Sequence, residues 1–199
     1  LINELDLKTI LVETKDKDGK LPSVTIDNIK ASYEGTKHLI NSGLKNLAFI
    51  GVNEENMNAW GERYTGFVNA LKDSGLEADE DLCYFKNLTV KTGYQAIQRF
   101  TENNKSFDGI VCASDEIAMG AINALREKGI KVPEDVSVIG FDNNVMGSIF
   151  YPKLTTISQP SYDMGSVAVR MLIKMLNKKE LDNPNYVLNY ELIKRESTK

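Results

Sequence analysis

The chain has 199 residues, a formal net charge of −4 and a pI near 5.2, with 42% hydrophobic and 26% charged residues. This suits one ordinary globular unit or two small ones and lacks the basic footprint of a nucleic-acid binder, so any DNA contact must come from elsewhere. With no apolar run of about 18 residues and no signal peptide, a cytoplasmic protein without a membrane span is expected, and the start at Leu1 points to a fragment.

In chain order, an apolar run at residues 9–12 is followed by a charged turn over 15–20. Residues 24–26 predict a strand ending on Asp27-Asn28, and residues 30–41 a helix closed by Gly43. A strand over 46–50 ends at Gly51 and opens into a polar loop over 52–61. The helix after it (62–73) carries Phe67, Ala70 and Leu71 at helical spacing and ends at Gly75. A strand at 82–85 and a helix at 91–102 follow. Residues 107–143 then read as strand (109–113), helix (115–128, closed by Gly129) and strand (136–140), with Pro133 as the break. An irregular apolar loop (145–152), a short strand (154–158), a helix capped by Ser161 and striped with Met164, Ala168 and Met171, a last strand (186–192) and a solvated tail (194–199) complete the reading.

From residue 46 to residue 142 the alternation is β-α-β-α-β-α-β, which specifies a doubly wound parallel sheet. Residues 46–50, 82–85, 109–113 and 136–140 should share that sheet, with 24–26 in another, incomplete one. Ligands bind at the carboxyl edge of such sheets, where this chain places polar residues.

Several chemistries lack their residues. Neither a dinucleotide-binding G-x-G-x-x-G nor a P-loop occurs, and Cys83, Cys112 and the single His38 have no zinc spacing, so no metal or cofactor is expected. The cysteines read as reduced core residues and His38 as a structural histidine. Asp115 and Asp142 share one sheet edge, which leaves open an α/β enzyme with paired carboxylates; for Asp115, stabilising the start of its own helix is the preferred reading. What remains is a ring of loops carrying Asp27, Asn28, Asn58, Trp60, Arg63, Asn87, Leu88, Ser114, Phe141 and Asp142. A guanidinium, carboxylates, amides, a hydroxyl and aromatic faces together suit a polyhydroxylated small molecule. Trp60 fits stacking on a sugar ring or a hinge contact.

The segments Val24-Thr-Ile-Asp27, Arg63-Tyr-Thr-Gly-Phe67, Ala113-Ser-Asp-Glu-Ile-Ala-Met-Gly120, Val132-Pro-Glu-Asp-Val-Ser-Val-Ile-Gly-Phe-Asp142, Pro152-Lys-Leu-Thr-Thr-Ile-Ser-Gln159 and Lys194-Arg-Glu-Ser-Thr198 resemble the effector-binding part of the lactose/galactose-repressor family of bacterial transcription regulators. The resemblance covers essentially the whole chain. It implies a type I periplasmic-binding-protein-like α/β fold of two doubly wound parallel-sheet subdomains joined by three crossovers. Residues 1–43 and 159–185 would form part of an incomplete N-terminal subdomain, and 44–158 with 186–199 the C-terminal one; the DNA-binding headpiece would lie outside the chain.

The resemblance further implies a sugar or sugar-phosphate effector held by Arg63 and Asp142, with Ser114, Asp27, Trp60, Asn58, Leu88, Phe141 and Gln159 around it. It also implies operator DNA bound through the headpiece, and a homodimer meeting through Phe150, Met119, Ile122 and Met146. Leu88 stands where the family often has a stacking aromatic. Members that dock a phosphorylated carrier protein have an arginine after the Phe-Asp-Asn segment and lack one at the position of Arg63; here residues 144–150 contain no arginine. Both departures favour a sugar-sensing repressor over a global regulator. An extracytoplasmic sugar carrier of the same fold is the alternative.

Overall fold

The structure, a computed structural model, describes residues 7–16, 18–52 and 59–199. Its strands form two sheets. The larger has the order β4-β3-β5-β6-β7-β9, from Cys83–Phe85 (β4), Leu47–Gly51 (β3), Gly109–Cys112 (β5), Ser137–Asp142 (β6), Thr155–Ser158 (β7) and Glu191–Ile193 (β9). All its pairings are parallel except that of β9 with β7. The smaller sheet, all parallel, places Ser23–Ile26 (β2) between Leu11–Val12 (β1) and Asn185–Leu188 (β8). The expected doubly wound sheet is therefore present, and residues 24–26 lie outside it.

Continuous apolar strands demand cover on both faces. On one face Asn28–Asn41 (α1) packs against Ala59–Lys72 (α2); on the other Val90–Glu102 (α3) packs against Asp115–Glu127 (α4). The helices change face between β3 and β5, so the strand order reverses there. At such a switch point the loops diverge and leave a crevice.

Four expectations about the chain's course are corrected. First, α1 does not stay with the small sheet: Leu39 joins the larger core and Gly35 lies against Ile139 and Ile157. The chain thus crosses between sheets at Asp27, not after residue 43. Second, residues 186–192 are not one strand. β8 and β9 belong to different sheets, with the crossing at Asn189-Tyr190.

Third, residues 194–199 are not a solvated tail. Ser197 is fully buried, donates to the Val138 carbonyl (2.6 Å) and accepts from the Thr155 N–H (2.8 Å). Short polar residues with no apolar period gave no sign of burial, because here hydrogen bonds to distant strands rather than side-chain hydrophobicity hold the segment. Fourth, the apolar loop holds a short helix, Val145–Ile149 (α5), capped by Asn144, and Pro160 rather than Ser161 occupies the cap position of Ser161–Leu176 (α6).

The two sheets meet over a smaller apolar cluster in which Val24, Ile26 and Ala31 join Phe141 and Ile157 of the large sheet and Met164, Ala168 and Met171 of α6. Cys83 and Cys112 are buried, unpaired thiols.

Candidate effector site

Arg63, in the first turns of α2, is the largest fully buried side chain, at 2% exposure. A buried guanidinium must be paired and hydrogen-bonded or it destabilises the fold. Nε donates to Asn28 Oδ1 (3.1 Å), and Nη1 to the Ala113 carbonyl (2.6 Å) and Asp142 Oδ1 (3.3 Å). The guanidinium carbon stands 3.6 Å from the centre of the Phe141 ring, so an aromatic face covers one side of the cation. Ala113 directly follows β5, Phe141 and Asp142 end β6, and Asn28 opens α1. The arginine therefore ties three parts of the fold together at the sheet's carboxyl edge.

Asp142 points into this crevice because its backbone is unusual. Its φ is 106° and that of Asn143 is 55°, left-handed values that cost a non-glycine residue on the order of 1 kcal/mol or more. Surrounding bonds hold the turn: Asn143 Nδ2 donates to Ser158 Oγ (3.1 Å), Arg195 Nη2 to Asn143 Oδ1 (2.7 Å), and the Asn144 N–H to Asp115 Oδ2 (2.6 Å). Gln159 Nε2 then bridges Asp142 Oδ1 (2.7 Å) and Glu13 Oε1 (3.0 Å). On the other side Asn28 Nδ2 donates to Glu62, which pairs with Lys15 at 3.4 Å. Burial pushes the Asp142 carboxyl above its ordinary range, against the pull of Arg63 and Gln159. Burial likewise lowers the Arg63 pKa, with Asp142 and Glu13 opposing.

Of the residues expected to hold an effector, Arg63, Asp142, Phe141 and Gln159 come together. Ser114, Leu88 and Asp142 line a recess of about 160 Å³ with Asp115, Glu116 and Asn144. The Ser114 hydroxyl also caps α4 by accepting from the Ile117 N–H (3.3 Å), and Asp27, exposed, caps α1 by accepting from the Lys30 N–H (2.9 Å). Trp60 is half-buried near the start of α2, and Asn58 lies outside the described residues.

Asp115 is the first residue of α4, whose cap is Ser114, and it forms part of the wall of that recess. It is 1% exposed, and its carboxylate takes the Thr156 hydroxyl (2.6 Å) and the Asn144 N–H, fixing the turn beyond Asp142. Glu13 and Glu62 went unread; the signal for Glu13 was its place as the first charged residue after an apolar run.

The expected dimer residues divide. Met119 and Ile122 are largely covered within the chain, at 8% and 1% exposure, with Ile122 at the floor of a groove beside Tyr151 and Pro152, while Phe150 is half-buried against the larger core. Met146 is exposed, along with Val145, Ile149 and Tyr151. Helical periodicity marks an apolar face but not whether α3 or a second chain covers it.

Burial raises the Asp115 carboxyl pKa to about 6, against an ordinary 3.8. Between those values the folded chain holds a proton that the unfolded chain has released, so this group's contribution is most favourable below the lower value and is lost as pH rises through the upper one. The difference corresponds to about 3 kcal/mol. In Asp115→Asn the amide can serve both neighbours without charge. Urea unfolding at about pH 4 and about pH 7 should show wild type losing about 2 kcal/mol relative to the variant, most of that difference. Parallel pH profiles would refute this.

Comparison with known proteins places this geometry in context. Residues 36–198 match the family model described as a periplasmic binding protein-like domain. The chain is 65% identical over 198 residues to the HTH-type transcriptional regulator RegA of Clostridium saccharobutylicum, covering 100% of this chain and 60% of that protein. Among solved structures, the transcription regulator CcpA of Lactococcus lactis superposes with a TM-score of 0.93 at 35% identity, over 100% of this chain and 72% of that one. The transcriptional regulator CelR in complex with cellobiose gives a TM-score of 0.86 at 27% identity, over 94% and 64%. The chain thus spans about 60% of the length of the curated relatives it matches.

Proposed function

The chain belongs to the periplasmic binding protein-like family that includes LacI-type transcription regulators, and from that premise we propose that it is the effector-sensing part of a cytoplasmic, DNA-binding repressor of carbohydrate metabolism. The effector is a sugar held at the switch point of the larger sheet. One observation carries the reading: a buried guanidinium, stacked on Phe141 and bonded to a half-exposed carboxylate, at the edge where such sheets bind ligands. Among the described residues Arg63 Nη2 meets no protein acceptor. A sugar hydroxyl can accept from that nitrogen and donate to Asp142 at once.

Operator DNA, on this reading, is bound by parts of the protein outside these 199 residues, which fits the acidic charge. A thermal-shift panel of mono- and disaccharides on the intact regulator tests the proposal. A ligand at 100 times its Kd raises the unfolding free energy by about 2.7 kcal/mol, and a flat response across the panel refutes the reading.

The second half of the proposal is a two-fold dimer through the α5 region. Val145, Met146, Ile149 and Tyr151 are 76%, 52%, 69% and 78% exposed within nine residues of Asn143, and such an apolar patch is costly to leave in water. Paired half-sites in an operator also call for a dimeric reader. Ile149→Glu should convert the dimer to monomer in sedimentation at micromolar concentration while the melting temperature changes little. An unaltered dimer would refute this surface.

A further inference from the structure

The charges around Arg63 narrow the class of ligand. Glu13 and Asp142 share the single amide nitrogen of Gln159, at 3.0 and 2.7 Å, so two carboxylates stand side by side at the crevice. Glu62 lies next to them, held by Asn28 and Lys15, and Glu116 is exposed on the rim of the recess whose wall includes Asp115. Among the described residues three cations stand near these acids: Arg195, whose guanidinium donates to Asn143 Oδ1 (2.7 Å) and the Leu154 carbonyl (2.7 Å), Lys15 and Arg63. Lys15 is paired with Glu62, and Arg63 has Nε and Nη1 committed to Asn28, Ala113 and Asp142 and one face closed by Phe141. Arg63 with Asp142 and Glu13 already carries an excess negative charge.

Resting on the sugar-binding reading above, we propose that the site takes an uncharged polyhydroxylated ligand and rejects its phosphorylated form. A hydroxyl both donates and accepts, so it can satisfy a carboxylate and a guanidinium N–H together. A phosphate dianion only accepts, and its neighbours here would be acceptors that repel it. Unpaired like charge in a partly desolvated crevice is a means of excluding a wrong ligand, and the carboxylates of Glu13 and Asp142 supply it.

Calorimetry on the intact regulator with matched pairs tests this: glucose and glucose 6-phosphate, trehalose and trehalose 6-phosphate, sucrose and sucrose 6-phosphate. In the pair that binds, the neutral member should bind at least about 10-fold tighter and be indifferent to added salt, since screening acts only on charge. Glu13→Gln should shrink that ratio several-fold by removing one of the two carboxylates. Tighter binding of the phosphorylated member, weakening with salt, overturns the inference while leaving the sugar-binding reading intact. Heat from no member of any pair, after a flat thermal-shift panel, overturns both.

Discussion

Substituting Gly120 with alanine is expected to destabilise the fold by about 3 kcal/mol, the upper end of the usual overpacking range. Helices α3 and α4 touch backbone to backbone: a methyl group at Gly120 would run into the Val90 carbonyl, and one at Gly93 into the Ile117 carbonyl. A side chain in the way can change rotamer, whereas a carbonyl held in a helix cannot, so the helices must part. Parting exposes Ile117, Ala121 and Ile97, all fully buried, and disturbs Ser114, which caps α4 beside the crevice. The gain in helix propensity from glycine to alanine, about 1 kcal/mol, offsets only part of this. Gly165 in α6 is the control. Among the described residues outside its own helix, none comes within 4 Å of where a methyl group would stand, so Gly165→Ala should stabilise by roughly 0.5–1 kcal/mol. If urea unfolding gives both variants the same sign, the close helix contact is wrong.

Arg63→Met is expected to lose about 2–3 kcal/mol of stability, and Asp142→Asn clearly less. Methionine keeps most of the volume over Phe141 and removes the desolvated charge, which by itself favours the variant. It also leaves the Ala113 carbonyl and Asn28 Oδ1 without their donor, each costing about 1–3 kcal/mol where water cannot replace it. The second effect wins because the site is closed around Arg63, at 2% side-chain exposure. The Asp142 side chain, at 40%, can instead turn to solvent. Equal losses in thermal unfolding would show that the ion pair, and not the wider set of bonds to the guanidinium, carries the stability.

The legible parts of the chain were those written in apolar periodicity. The four central strands, their helices and the glycines that end them follow from local pattern, and the resemblance aligned Arg63 with Asp142 across 79 positions of sequence. Less legible was anything decided by which surface an element meets. Helix α1 has the same amphipathic pattern whichever sheet it covers, and Met119 and Ile122 look alike whether a second copy or the chain itself buries them. The tail around Ser197 and the roles of Glu13, Glu62 and Asp115 rest on hydrogen bonds between distant segments, which leave no local trace. The left-handed backbone at Asp142 and Asn143 was equally silent, although asparagine and aspartate tolerate it best.

The central claim is that Arg63 and Asp142 hold a ligand and do not merely close a sheet edge. Calorimetric titration of the intact regulator with the sugar selected by thermal shift, in wild type, Arg63→Met and Asp142→Asn, addresses it directly. Each lost charge-assisted hydrogen bond is worth about 1.5–3 kcal/mol, so affinity should fall roughly 10- to 100-fold in each variant, with operator binding retained. Sugar affinity unchanged in both variants, alongside lowered melting temperatures, would leave the pair as a structural ion pair and contradict the account.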